Sequence, residues 1–449
     1  MLLRRNGAWL FPMLIFLSGC TTVAMNAGFD DIRGTVEERS TSTIFWNNGT
    51  DLDKEAAEKV DSLLKAKLTA DEAVQIALLN NRDLQAVYSD LGVAQADLVQ
   101  AGLFNNPIFD AAIKFPTAGG QANLELAAVM NFLDVFYMPL RKRVAAARFE
   151  EAKLRVTGTV LDFAAGTRTA FYLHLANEQL LELRQTIVQA LNASLDLARR
   201  LHEAGNITDL DFARERALAE GGKLALRSAE IALRQSREQL NNLMGLWGQN
   251  TEWQTDRRFP DIPPQPMQMK NIERLALSRS LDLPHARQRI VVAGEQLGFN
   301  RTTALIPELD VGPFAERNEG AWEVGPVLEF PIPLFDQGQA RVGRAAAELR
   351  RAQQEYYALA VRIRSTARAV RDRMEGSRDR ALYYRDIMLP LRERIVNEAQ
   401  LQYNAMQLSP FQLLRAKEQQ IETAVAYVDT LRDYWLAHGD ASQLLSGRL

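Results

Sequence analysis

The chain has 449 residues, and its 53 Lys and Arg against 56 Asp and Glu leave a formal net charge of -3. That balance argues against nucleic acid as a partner, which calls for a basic surface. Cys20 is the only cysteine, which excludes an intrachain disulfide and any thiol-based metal cluster.

Residues 1–20 read as a processing signal. Arg4 and Arg5 form a positive n-region, Ala8 to Leu17 are almost all apolar, and Leu17-Ser18-Gly19-Cys20 closes the segment. Small residues before a lone Cys suit a narrow peptidase cleft, and the thiol is the atom that takes lipid, so the segment resembles a bacterial lipobox. Thr21 rather than Asp follows the Cys, as in lipoproteins sorted to an outer membrane. After the signal no apolar run reaches about eighteen residues, so any membrane insertion must use strands.

Residues 21–69 are polar and weakly patterned, with turn chemistry at Asn47, Asn48 and Gly49 and a helical stretch from Asp53 to Ala66. They read as an N-terminal arm. The body then falls into two copies, 70–255 and 271–449, joined by a linker, 256–270, that holds Pro260, Pro263, Pro264 and Pro266. Asp83, Leu84, Ala86, Leu91, Ala94 and Leu98 lead to Pro107; Asp282, Leu283, Ala286, Ile290, Ala293 and Leu297 lead to Pro307. A period of about two hundred residues is too long for a solenoid unit and suits a duplicated domain half.

Each copy predicts a helix, a β-hairpin and a helical hairpin. Residues 107–116 alternate, with Phe109, Ala111, Ile113 and Phe115 opposite Asp110 and Lys114. After Thr117-Ala118-Gly119-Gly120, Leu124, Leu126, Ala128, Met130 and Phe132 oppose Asn123, Glu125 and Asn131. In the second copy Leu309, Val311, Pro313 and Ala315 oppose Glu308, Asp310 and Glu316. Past Arg317-Asn318-Glu319-Gly320, Trp322, Val324, Pro326, Leu328 and Phe330 oppose Glu323 and Glu329. Period-two alternation over about ten residues is the pattern of a transmembrane β-strand.

Proline is absent between Pro139 and Pro260 and between Pro333 and Pro390, where strong helix formers dominate. Seven-residue steps run through Leu173, Leu180 and Ile187, through Leu181, Val188 and Leu195, and through Tyr356, Ile363 and Val370. They predict side-by-side helices about 90 Å long. A fibrous coiled coil would satisfy the helices but not the strands. Four strands cannot close a membrane barrel, and an open edge in hydrocarbon costs several kcal/mol per unpaired group, so the chain must oligomerise.

The duplicated pattern resembles the TolC-like outer-membrane efflux factors across nearly all of 70–449. Leu84, Ala86, Ala94, Leu98, Asn106 and Pro107 with their second-copy partners carry the resemblance. So do the turns Ala204-Gly205-Asn206-Ile207-Thr208-Asp209-Leu210-Asp211 and Ala405-Met406-Gln407-Leu408-Ser409-Pro410-Phe411-Gln412. The fold implied is mainly α with transmembrane β: a homotrimer whose twelve-stranded barrel continues as a long periplasmic α-helical barrel. The resemblance implies a Gram-negative outer membrane, a lipid anchor at Cys20, and a periplasmic adaptor and inner-membrane pump as partners. It implies export of small molecules or metal ions with no catalytic step and no cofactor. Gly205, Asn206, Ile207 and Thr208, with Met406, Gln407, Leu408 and Ser409, are then the tips that contact the adaptor.

Some members of that family close the tunnel with a carboxylate ring after the second tip. Gln412 and Arg415 stand there in this chain, and Asp211 and Arg214 in the first copy, so an acidic ring is in doubt and an Asp211–Arg415 pair is the candidate gate. Asp110, Glu125, Glu308, Asp310, Glu323 and Glu329, against Lys114 alone, would make the barrel lumen acidic and favour cations. His174, His202, His285 and His438 are scattered without ligand spacing, and no nucleophile elbow or phosphate loop appears. The alternatives are a structural periplasmic coiled-coil lipoprotein and an outer-membrane duct for type I protein secretion.

Overall fold

The computed structural model describes residues 23–24, 26–40, 42–117, 119, 121–318 and 320–449. The signal segment and Cys20 lie outside them. The elements in order are α1 (Phe29–Arg39), α2 (Asp51–Leu64), β1 (Lys67–Leu68), α3 (Ala70–Asn80), α4 (Arg82–Ala101), β2 (Ile108–Lys114), β3 (Asn123–Asn131), α5 (Asp134–Glu203) and α6 (Asp209–Met244). Then follow β4 (Gln254–Thr255), α7 (Ile272–Arg279), α8 (Asp282–Thr302), β5 (Asp310–Asn318), β6 (Ala321–Glu329), α9 (Gln339–Tyr383), α10 (Leu389–Asn404) and α11 (Pro410–Ser446). They form two compact units, and each unit takes segments from both sequence copies.

The first unit holds Ser89–Ala152 and Gln288–Arg350. Its centre is an antiparallel sheet in the order β2-β3-β5-β6, so the two hairpins join through β3 and β5. Asp110 pairs with Ala127, Glu125 with Glu316, and Asp310 with Glu329. Strands are shorter than the alternation suggested: β2 stops at Lys114, and β3 starts at Asn123. Glu308 falls two residues before β5 and so lies outside the ladder. Gly312 admits no side chain, because a Cβ there would meet the Ala128 carbonyl oxygen at 1.9 Å.

The second unit holds Asp30–Tyr88, Lys153–Arg287 and Arg351–Leu449. Its core gathers Ile76, Phe171, Leu240, Trp253, Ile363 and Trp435 from both copies. Tyr172 stacks between Trp435 and Phe259, with centroids 5.2 and 6.3 Å away. The arm is not loose: Ile32, Val36, Ile44, Trp46 and Val60 are buried, and Lys67 and Leu68 pair in parallel with Gln254 and Thr255. Residues 42–68 show no sustained apolar period, and Ile44 and Trp46 are buried among residues distant in the chain. Helix α2 starts at Asp51 rather than Asp53, since Thr50 and Asp53 form a capping box.

Helix α5 runs unbroken for 70 residues, about 105 Å. Its counterpart is interrupted by a π segment, Tyr384–Met388, between α9 and α10. Pro390 has no N–H for the Asp386 carbonyl, and its ring would collide with that oxygen in a regular helix. The wider π turn absorbs the conflict.

Candidate functional site

Three groups of residues carry the functional candidates: one sheet face, two helical turns and the residues just past those turns.

On the sheet, the register puts Asp110, Lys114, Glu125, Asp310, Glu316, Glu323 and Glu329 on a single face. Lys114 is engaged by Glu125 across the hairpin. The opposite face carries Phe109, Ile113, Met130, Trp322, Val324 and Leu328, all exposed, from 44% at Met130 to 76% at Val324. Among the described residues, the edges β2 and β6 pair with no further strand. An exposed apolar face backed by an acidic one is inverted for a water-soluble sheet, whose apolar face seeks a core.

The two turns are built alike, residue for residue. Asn206 N–H donates to Leu201 O at 2.8 Å, and Gln407 N–H donates to Gln402 O at 2.9 Å, each closing a Schellman motif. Gly205 (φ 76) and Met406 (φ 59) take the left-handed position. Thr208 and Ser409 then cap α6 and α11, accepting from the N–H of Asp211 and Gln412. Ile207 and Leu408 are half-buried, while Gly205, Asn206, Thr208, Met406, Gln407 and Ser409 around them are exposed.

The candidate gate residues do not form the expected pair inside one chain. Asp211 accepts from the Thr208 hydroxyl at 2.7 Å and meets Arg214 at 3.5 Å. Gln412 turns back so that its Oε1 accepts from the Ser409 N–H at 3.0 Å, which completes a capping box and occupies the side chain. Arg415 instead lies among Ser194, Glu215, Phe411 and Glu418. Burial, then Glu422, pushes the Glu418 carboxyl up, while Arg415 opposes the rise.

Sequence reading missed a lock at the first turn. His202 Nε2 lies 2.6 Å from Asp209 Oδ1, and the His202 ring stacks on Phe212 at 5.0 Å. Its only sequence signal is a His and an Asp flanking a glycine turn. His174 is fully buried in α5, with Nδ1 2.9 Å from Ser236 Oγ and Nε2 3.9 Å from Glu178 Oε1. A cavity of about 560 Å³ is lined by Ala94, Asp97, Arg141, Val144, Arg148 and Phe299. Its cations are engaged: Arg141 by Asp134 and Arg148 by Gln296, both at 2.9 Å. Among the described residues no three His, Cys, Asp or Glu are grouped to hold a metal ion, and no helix is long and apolar enough to cross a membrane.

No family model matches the chain. The Campylobacter jejuni CmeC outer membrane channel superposes with a TM-score of 0.65 at 15% identity, over 90% of each chain. The chain has the fold of the TolC-like outer-membrane efflux channels. Within that TolC-like fold, the acidic sheet face and the paired turns fall in elements that the sequence duplicates.

Two curated proteins are similar in sequence. The cobalt-zinc-cadmium resistance protein CzcC of Cupriavidus metallidurans is 22% identical over 387 residues, covering 84% of this chain and 90% of CzcC. The pyoverdine export outer membrane protein OpmQ of Pseudomonas putida is 25% identical over 324 residues, 64% of this chain and 65% of OpmQ. Both are named for resistance or export.

Proposed function

We propose that the chain is the outer-membrane channel of a tripartite efflux system, a passive exit duct for small molecules or metal cations. The carrying observation is the four-stranded sheet with an exposed apolar face, an acidic reverse and two unpaired edges. In water such a sheet exposes hydrocarbon. In a bilayer each edge must meet another strand. Three copies closing through β2 and β6 make twelve strands, with Asp110, Glu125, Asp310, Glu323 and Glu329 toward the lumen and the helices extending into the periplasm.

Cys20 is the lipid attachment site in this reading. The turns at Gly205–Thr208 and Met406–Ser409 are the surfaces offered to a periplasmic adaptor, which bridges to an inner-membrane pump. Asp211, Arg214, Gln412 and Arg415 are the gate candidates in this reading, and an Asp211–Arg415 contact would have to form between copies. Those five lumen carboxylates and Glu316 on the same face, repeated threefold, concentrate cations by field focusing. The similarity to CzcC supports metal cations as cargo and the similarity to OpmQ supports organic export. The acidic face favours cations.

Purified protein in planar bilayers tests the reading. A heat-modifiable trimer with discrete conductance is expected. A monomer that extracts without detergent and gives no conductance would instead support a structural coiled-coil lipoprotein.

A further inference from the structure

The residues leaving one end of the sheet form an apolar belt beyond the ends of the strands. Ile108 pairs with Val129, Asn131 with Asp310, and Asp310 with Glu329, so the segments before β2, after β3, before β5 and after β6 emerge together. They present Phe104, Phe132, Phe136, Ile306, Ile332 and Phe335, all exposed. Phe335 is 92% exposed, the extreme among them.

Phe335 is not on a slack loop. Pro331 and Pro333 stiffen the strap that follows β6. Gly338 takes φ 75, and a Cβ there would lie 2.9 Å from Ala304, so the strap is seated against the end of α8. Asp336 Oδ1 accepts from the Gly338 N–H at 2.8 Å. Gln339 accepts from the Gln337 N–H at 2.7 Å and donates to the Phe335 carbonyl at 3.2 Å. Two of the three polar side chains of 331–339, Asp336 and Gln339, are thus bonded to backbone, and Ile332, Leu334 and Phe335 are exposed beside them.

We infer that the 331–338 strap is an interfacial lipid anchor that seats Phe335 in the phospholipid leaflet on the helix side of the sheet. This rests on the outer-membrane reading above. The belt crosses all four strand ends, including those of the central strands β3 and β5, which no edge-to-edge contact with a second copy would cover. Strand length points the same way: nine residues tilted ~40° span about 23 Å, slightly less than the ~25 Å apolar band of a membrane barrel. The belt supplies the missing border, and aromatic side chains are suited to it because one part of the border is apolar and the other wet.

Nitroxide labels at Phe335→Cys and Ile332→Cys in full-length protein, reconstituted in phosphatidylethanolamine–phosphatidylglycerol vesicles, test this by collision with oxygen and with a water-soluble nickel chelate. Parent protein carried through the same labelling sets the Cys20 background. Oxygen collisions several-fold above nickel collisions are expected at both positions. Frequent nickel collisions would place the strap in water, and few of either would place it against protein; both overturn the inference. Labels at Phe109→Cys and Val324→Cys on the apolar sheet face separate the two readings. If they meet oxygen while the strap does not, only the anchor fails. If they too meet nickel, the channel reading fails and takes the anchor with it.

Discussion

Met406 occupies in the second helical turn the left-handed backbone position that Gly205 holds in the first, at φ 59 and 76. A side chain in that conformation costs about 1–2 kcal/mol, and 95% of Met406 is exposed, so no burial of its own offsets the cost. Met406→Gly should relieve about 1 kcal/mol locally, and Gly205→Ala should cost a similar amount. Amide hydrogen exchange over 401–412 and 200–211 reads this: slower in the first variant, faster in the second. Unchanged exchange in both would show that strain at the turns is taken up elsewhere.

His174 gives the second unit an acid sensitivity. Burial, then Arg237, lowers its pKa from 6.5 to about 4. The unfolded chain therefore binds a proton that the folded chain refuses between those values, and stability falls as pH drops through that window. The loss is of order 3 kcal/mol by pH 4 at most. His174→Gln, which retains a partner for Ser236, should flatten the pH dependence of thermal unfolding between pH 6.5 and 4. The same slope as the parent would exclude His174 as its source.

Arg448 binds Asp162 and Asp282 together, joining α5 to the start of α8, while the Gly447 carbonyl accepts from the Leu281 N–H at 2.8 Å. Removing one partner of a buried ionic cluster leaves uncompensated charge; with these side chains 14–39% exposed, Arg448→Ala should cost about 2 kcal/mol rather than the ~3–5 of full burial. Gly158→Ala should reproduce part of that loss, because its Cβ would lie 2.7 Å from the guanidinium. Limited proteolysis of purified protein checks both. Parental resistance in Gly158→Ala would mean that the guanidinium relocates freely.

Combined Asp310→Asn, Glu323→Gln and Glu329→Gln should lower cation selectivity if that face lines a lumen. Reversal potentials across a salt gradient should move toward zero. An unmoved potential would place selectivity away from the sheet.

At the turns, Gly205→Arg with Leu408→Glu should abolish export while leaving trimer abundance near the parental level. Export retained at the parental rate would remove the tips as adaptor contacts.

Local rules carried much of this protein. Alternation in 107–132 and 308–330 determined which residues share a sheet face, because a strand's side-chain period is two whatever it pairs with. Gly205, Thr208 and Ser409 marked the turns, because left-handed backbone and N-caps are chemistry of a few consecutive residues. Tertiary structure decided what depends on partners distant in the chain. The pairing of β3 with β5, the burial of Ile44 and Trp46, and the clamp of Arg448 on Asp162 and Asp282 each join segments that sequence periodicity cannot relate. The π segment before Pro390 and the inward turn of Gln412 are subtler. A proline or a glutamine permits several local solutions, and packing selects among them. Periodicity decides which residues face together; only the assembled chain decides what they face.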